Sequence, residues 1–393
     1  MAALAHGGMG RRIAYYRRLR RMTQQQLADA ACVALGTVRK VERGERGVSD
    51  ATLEVIAEAL GVEPAQLRAD REPAHTRVHA ALPALSAAIA TYDIPDDGPL
   101  RPLHELRRAI AQAVEWRLAA QYTRLAAGLP DLLAQLARAF HRSPETEKPD
   151  LAALMVTAYR CADAIAYKFG ARDLSARLIE LMRWVVREAD DPVLSAAVAY
   201  VRTETFLAAR AHTAGLRTLE QAIDAAPRPR AAEEIAARGA LHMRAAVIAG
   251  RARDASSAVL HLGEARRLAD RVDEDIYRGT AFGPDSVRIH EVSVAVSLGD
   301  EHVGRALEVA GEWEPPADLP AERRSGFYIE LARAQLWSGR ADDAFESLKA
   351  ARHIAPQHTR EHPWVREDAA TLRRLKRADS EALTNFAEWC AAI

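Results

Sequence analysis

Apolar residues return every three or four positions along almost the whole chain, a period that predicts successive α-helices, each with one buried face. Ile13 and Tyr16 are expected inward on a helix of residues 12–20, Leu27, Ala28 and Ala31 on the next, and Val38 and Val41 on a third. Leu53, Ile56, Ala57 and Leu60 fall at i, i+3, i+4 and i+7 and make a fourth. Pro64 opens a short fifth helix containing Leu67. From Asp70 to Thr76 the chain turns polar, and a domain boundary is expected there. Leu82, Leu85 and Ile89 predict one more helix, whereas Tyr92–Pro102, YDIPDDGPLRP, has three prolines and a glycine and must be an ordered loop. A long helix is expected from Leu103 to Ala127, and helix pairs beyond Gly128. The pattern thus predicts an all-α chain: an arm (1–11), a five-helix unit (12–70), a linker with one helix (71–102) and a helical-repeat unit (103–393).

The first unit is punctuated by cap signals. Thr23 with Gln26 three residues later is a capping box, and Gly44 stands where a left-handed cap ends the third helix. Ser49 caps the fourth helix, which stops before Gly61. Two short helices therefore flank Ala31–Val33, in an arrangement that resembles the helix-turn-helix of phage-repressor type, the XRE family, over residues 12–68. The resemblance implies that the second helix lies in a major groove of DNA and that the helix before it crosses the backbone, its N-terminal amides facing phosphate. Matched by position, Gln24 and Arg43 fall on phosphate-contacting sites, Leu35, Gly36, Thr37 and Lys40 fall on the base-facing side, and Arg39 serves either purpose. The same match pairs Arg17 with Glu42 as a structural ion pair.

This chain departs from the family pattern in three places. Cys32 holds the usual turn glycine, Ala34 replaces a hydroxyl N-cap, and Leu35–Gly36 stand where polar base readers are common. Readout is then expected to rest on Lys40 with guanine, on apolar contact with a thymine methyl and on DNA shape.

Past Gly128, repetition is the informative feature. Tyr328–Pro356 matches one tetratricopeptide repeat, with Ala344 at its small central position and Leu331, Ala332, Leu348, Ala351 and Pro356 at the others. Turn signals recur near Gly170–Asp173, His212–Gly215, Gly250–Asp254, Gly299–Asp300 and Gly339–Asp342, wider apart than the usual period. The region is read as a tetratricopeptide-like α-solenoid whose first helices line a concave groove. A reader followed by such repeats resembles many regulators of actinobacteria and, more distantly, the peptide-sensing regulators of other Gram-positive bacteria. That layout implies a homodimer on a pseudo-palindromic double-stranded DNA operator, and a peptide or small-molecule effector.

Charge supports the division. Residues 1–48 hold ten Lys/Arg against three Asp/Glu, residues 49–71 two against five, and the whole chain is formally neutral. A basic reader is therefore joined to a mildly acidic body. Arg11 and Arg12 are read either as phosphate contacts or as part of a solvated arm. Cys32, Cys161 and Cys390 are far apart and odd in number, so neither a disulfide framework nor a CxxC metal site is expected, and a reducing cytoplasm fits. No run of apolar residues is long enough to cross a membrane.

Within the repeats, Phe282–Glu291, FGPDSVRIHE, is the candidate effector site. Asp285 is expected to cap a helix after Gly283–Pro284, with Ser286, Arg288 and His290 along it and Arg288 as a fork for a carboxylate; capping plus inter-helix salt bridges is the alternative. Tyr328 and Arg333 complete that site. Tyr159, Asp163, Tyr167, Tyr200, Arg202, Glu204, His242, Glu330 and Trp337 are further polar or aromatic residues on presumed groove helices, and as a group they suit a peptide or small polar ligand. His358–His362, HTREH, has the wrong order for a zinc helix, and Cys161 lies among apolar residues, so no cofactor, metal or catalytic role is expected. The rival to a regulator is a protein-interaction scaffold on the repeats with a vestigial reader.

Overall fold

A computed structural model describes residues 9–20, 22–45, 48–62, 67, 74–375 and 381–392. The chain divides between Arg77 and Val78 into two compact units. Most of the expected arm, the expected start of a fifth helix at Pro64 and most of the polar stretch from Asp70 lie outside the described residues.

The first unit contains α1 (Met9–Leu19), α2 (Gln24–Ala30), α3 (Leu35–Glu42) and α4 (Asp50–Leu60). Helix α1 begins ahead of Arg12, because Gly10 lets it sit against α3: a Cβ there would stand 1.9 Å from the Val41 carbonyl oxygen. Ile13, Leu27, Val38, Val41, Leu53, Ile56, Leu60 and Leu67 form one core. The caps are those expected from the sequence. Thr23 Oγ1 accepts from the Gln26 amide while the Gln26 side chain takes the Thr23 amide, and Ser49 Oγ accepts from Thr52. Each such cap contributes about 1 kcal/mol.

The second unit is built of antiparallel helix pairs. These are α6 (Leu103–Leu118) with α7 (Tyr122–Arg142), α8 (Lys148–Lys168) with α9 (Arg172–Val185), and α10 (Pro192–Ala209) with α11 (His212–Ala225). They continue as α12 (Ala232–Arg251) with α13 (Ala255–Ala269), α14 (Pro284–Leu298) with α15 (Val303–Glu312), and α16 (Ala321–Trp337) with α17 (Ala341–Ile354). The short α18 (Pro356–Glu361) leads to α19 (Pro363–Leu375) and α20 (Glu381–Trp389), and α5 (Ala74–Ala90) precedes the series. The turns expected at Gly170, His212, Gly250, Gly299 and Gly339 all separate paired helices. In the clearest repeat, Ala332, Ala344 and Ala351 are fully buried, which lets α16 and α17 approach closely. The first helices α10, α12, α14 and α16 pack side by side and form an inner face.

Two features differ from the helical pattern. The expected helix Leu103–Ala127 is broken at Ala119–Gln121, with Ala120 left-handed at φ 54°. The break carries Tyr122 into the core, where its hydroxyl donates to Glu322 Oε2 at 3.0 Å, so tertiary packing overrides helix propensity. Between α13 and α14 the chain forms a β-hairpin, β1 (Asp275–Tyr277) with β2 (Thr280–Phe282), in which Tyr277 faces Thr280. Its two turn residues, Arg278 and Gly279, have φ of 46° and 77°, as a tight hairpin requires.

The two ends of this unit are also tied together. Thr123 at the start of α7 donates its amide to Gln357 of α18 at 3.0 Å, and Lys168 at the end of α8 pairs with Glu322 of α16 at 2.8 Å. Ala355 shares the core of the first helix pairs.

Candidate DNA-reading helix and inner groove

The helix-turn-helix is held from behind by a buried ion pair. Arg17 of α1 donates Nε and Nη2 to the two carboxylate oxygens of Glu42 at 2.6 and 2.9 Å, and their side chains are only 11% and 6% exposed. Burial raises the Glu42 carboxyl, but the bonds from Arg17 and Gln24 bring it below its ordinary value. Gln24, first residue of α2, donates Nε2 to Glu42 Oε2 at 2.7 Å, which orients its amide at the amide end of that helix. The pairing expected for Arg17 is thus present, and it also reaches Gln24.

Between the helices, Cys32 takes the left-handed position expected of a turn glycine, at φ 52°, and is exposed. Ala34 starts α3 without a side-chain cap. Along α3, Val38 and Val41 are buried, while Gly36, Arg39 and Lys40 are exposed. Leu35 and Thr37 are half-buried, and Leu35 packs on the core. Arg43 is exposed and pairs with Glu45 at 2.9 Å. The outward face of α3 therefore carries Gly36, Arg39 and Lys40, with no carboxylate on it.

In the second unit the inner face converges on a cavity of about 210 Å³. Arg117 of α6, Arg160 of α8, Tyr200 of α10, Arg244 of α12 and Arg323 of α16 all line it. Arg323 Nη2 donates to the Tyr200 hydroxyl at 2.9 Å, and the Arg244 guanidinium lies over the Tyr200 ring, 4.1 Å from its centre. Burial raises that hydroxyl, but Arg244 and Arg323 outweigh it and bring it down to about 8. Arg117 donates Nη2 to the Gly279 carbonyl at 2.7 Å; Arg160 donates to the Arg278 carbonyl at 2.8 Å and to Thr280 Oγ1 at 2.6 Å. Loss of water and the nearby Arg117 pull Arg160 down to about 9.

Carboxylates are present too, but most of their charge is used. Glu322 is bound to Lys168 and Tyr122, and Glu204 lies 3.8 Å from Arg244. Asp163 accepts from Ser175 at 2.6 Å, and burial, then Glu204, holds its pKa well above the ordinary value. Further along, Trp364 is flanked by the Arg251 and Arg333 guanidinium groups, 4.5 and 4.3 Å from its ring centre, and Glu330, raised to about 7 by burial, accepts from Ser293.

Of the residues singled out in the sequence, Asp163, Tyr167, Tyr200 and Glu204 meet at this cavity. Those of FGPDSVRIHE do not. Gly283, not Asp285, is the N-cap, and Glu274 reaches across to take the Ser286 amide at 2.8 Å and its hydroxyl at 2.5 Å. Two residues along a helix point to opposite sides, so Arg288 and His290 separate. Arg288 is exposed on a surface cavity with Arg266, Arg305 and Trp313, its guanidinium 5.7 Å from the Trp313 ring centre. His290 is buried; its Nδ1 is 2.8 Å from the Ser286 carbonyl, and its Nε2 is 3.4 Å from Arg323. Arg333 is tied to Glu367 and Asp368 at 2.7 and 2.9 Å, and Tyr328 is half-buried between two cores. Tyr159 is core, and His242 is buried against His261, Nδ1 to Nδ1 3.0 Å. His358 is held by Ser325 and Glu361 by Arg366.

Sequence reasoning missed Arg117, Arg160, Arg244 and Arg323. They come from four helices far apart in the chain, and no local spacing marks them.

Residues 13–67 match the family profile described as "Helix-turn-helix" (HTH_3), the span occupied by α1 to α4 and Leu67. The first unit is a helix-turn-helix domain. Its XRE-type pattern agrees with the capping box, the turn and the Arg17–Glu42 pair described above. A search of curated proteins returned no match. Two solved structures are similar to the chain. One is Bacillus thuringiensis PlcR in complex with the peptide PapR7 and DNA, 13% identical, covering 68% of this chain and 95% of that one, with a TM-score of 0.25. The other is a mutant of PrgX, 10% identical, covering 97% of this chain and 99% of that one, with a TM-score of 0.29. The chain is helix-turn-helix followed by helical repeats, and among the described residues no helix is long and apolar enough to cross a membrane.

Proposed function

We propose that this chain is a sequence-specific DNA-binding transcription regulator whose repeat unit binds a peptide or small-molecule effector and thereby controls operator binding. The observation that carries it is the outward face of α3, where Gly36, Arg39 and Lys40 are exposed and no acidic residue stands among them. Lys40 is the donor available to a guanine edge, and open Gly36 lets the helix approach the groove floor. Gln24, Arg43 and the amide end of α2 serve phosphates. One reading helix covers only a few base pairs. A homodimer with readers one helical turn apart on a pseudo-palindromic site supplies the rest.

The effector reading is supported by the inner cavity, where charged and aromatic side chains converge from five helices. An effector changes operator affinity only through unequal affinity for two states of the protein. Binding to genomic fragments, then to the selected operator, tests the proposal. Lys40→Ala is expected to lower preference for the operator over random duplex by about 1–3 kcal/mol. Gln24→Ala weakens all duplexes alike. Absence of any affinity for duplex at low salt would favour the scaffold reading instead.

A further inference from the structure

The hairpin tip occupies two guanidinium groups of the inner groove. Arg117 is 92% buried by its 8% exposure, its Nε has no hydrogen-bond partner among the described residues, and its Nη2 is satisfied by the Gly279 carbonyl. Arg160 is likewise satisfied by the Arg278 carbonyl and the Thr280 hydroxyl. Two guanidinium groups are thus brought together whose hydrogen bonds go to neutral acceptors, while the carboxylates Glu322, Glu204 and Asp163 of the same cavity act on them only through charge. A carboxylate or phosphate accepts from guanidinium with bonds roughly twice as strong as those of a neutral acceptor.

On the other side of the same two arginines lies a second cavity, of about 260 Å³, lined by Val114, Val156, Met182, Leu194, Val198 and Val201. Arg117, Arg160, Val201 and Gly279 border both cavities. One compartment is therefore charged, the other apolar, and the tip of the hairpin stands at their junction.

The hairpin is anchored at its base by packing, and its tip is held to the rest of the unit by side chains. Phe282 is fully buried against Gly239, and Glu274 holds Ser286. The tip rests on strands of three residues each, a length marginal for an isolated pair. Arg278 is in a left-handed conformation that L side chains resist, it borders the second cavity, and its guanidinium is held by Asp191 and Glu233, each at 3.1 Å.

We propose that the groove takes an elongated ligand with an anionic end and an apolar body, that the anion seats on Arg117 and Arg160, and that the hairpin tip is a built-in stand-in which leaves these guanidinium groups when the ligand enters. The inference rests on the reading of the groove as an effector site. Withdrawal of the tip joins the two cavities, which together reach the size usual for small-ligand sites. The charged end then lies among arginines, and the chain of the ligand lies along the valines and Met182.

Calorimetric titration of the full chain tests this with octanoate, with 1-octanol, and with an N-acetylated Leu-Val-Val-Leu peptide having either a free or an amidated C-terminus. At least one of the two anions is expected to bind, about tenfold or more tighter than its uncharged counterpart. Which of them binds tells a fatty carboxylate from a peptide terminus. Backbone hydrogen exchange at 275–282 is expected to accelerate at saturation, as the tip loses its guanidinium donors. Arg117→Met and Arg160→Met are each expected to weaken the anion by about tenfold and to leave the uncharged probe unchanged. The proposal is overturned if neither anion binds at about 10 mM, a concentration far weaker than effector affinities. Equal binding of charged and uncharged probes, or unchanged exchange at the hairpin, overturns it as well. The exchange measurement needs no variant, so a substitution that fails to fold leaves the test intact. Operator affinity is measured separately. An anion that binds but never alters it removes the effector reading and keeps the site, whereas loss of the site leaves DNA binding untouched.

Discussion

Glu42 of α3 is bonded to both α1 and α2, and its removal has a magnitude that follows from the geometry. Glu42→Ala deletes three charge-assisted bonds, two from Arg17 and one from Gln24, and leaves Arg17, 11% exposed, with only the Met22 carbonyl at 2.8 Å. An uncompensated buried charge costs about 3–5 kcal/mol, whereas replacing both partners by apolar groups of similar volume is close to neutral. We expect Glu42→Ala to sit at the low end, about 3 kcal/mol, because Arg17 keeps one acceptor. Arg17→Met is expected to cost a similar amount, and the double substitution Arg17→Met with Glu42→Leu far less than their sum. Hydrogen exchange of the α1–α3 amides in the full chain reads this locally, as a loss of protection on the order of 100-fold for Glu42→Ala. If the single variants lose less than about tenfold in protection, or if the double variant loses as much as both together, the pair is not what holds α1 to α3.

Three further outcomes are expected. Cys32→Gly relieves a left-handed cysteine at φ 52° and is expected to raise the stability of the reader by up to about 1 kcal/mol in the same exchange measurement, whereas Cys32→Val lowers it. Gly239→Ala places a Cβ 1.9 Å from the fully buried Phe282 ring; the repacking cost of about 1–3 kcal/mol exceeds or cancels the helix gain of about 1 kcal/mol, and it is expected to appear as faster exchange at 275–282. Burial lowers His242 to about 4 and both His290 and His358 to about 3. These three, like His212, His261 and His362, which are lowered as well, therefore bind more protons in the unfolded chain than in the folded one below about pH 6.5, whereas Glu330, raised to about 7, and Asp163 bind more in the folded chain. The share of His242, His290 and His358 in the stability is full above that value and falls toward pH 4, with a slope of at most about 4 kcal/mol per pH unit for these three protons, and urea midpoints across pH 4–7 measure the net of both groups.

The reader was legible because its signals are local. A cap and its partner lie three residues apart, the periodicities at Leu27 and Leu53 need one helix each, and Gly61 is left-handed as its place after Leu60 suggests. The repeat turns were legible for the same reason. The groove was not, since Arg117 and Arg323 meet only after the intervening helices have stacked. FGPDSVRIHE misled because proximity in sequence was read as proximity in space. On a helix, Arg288 and His290 are driven apart, one to the surface and one into the core. The hairpin did carry a signal: Ile276, Tyr277, Thr280 and Phe282 are strand formers around the turn pair Arg278–Gly279, but a helical-repeat template leaves no place for it.

Solenoids of helix pairs ordinarily touch only their immediate neighbours and stretch like an open spring. Here Thr123 grips Gln357 and Tyr122 reaches Glu322, so the chain of pairs is fastened like a buckled belt. Cutting these bonds, and with them the Lys168–Glu322 pair, unfastens the early pairs from the late ones without touching any pair in between.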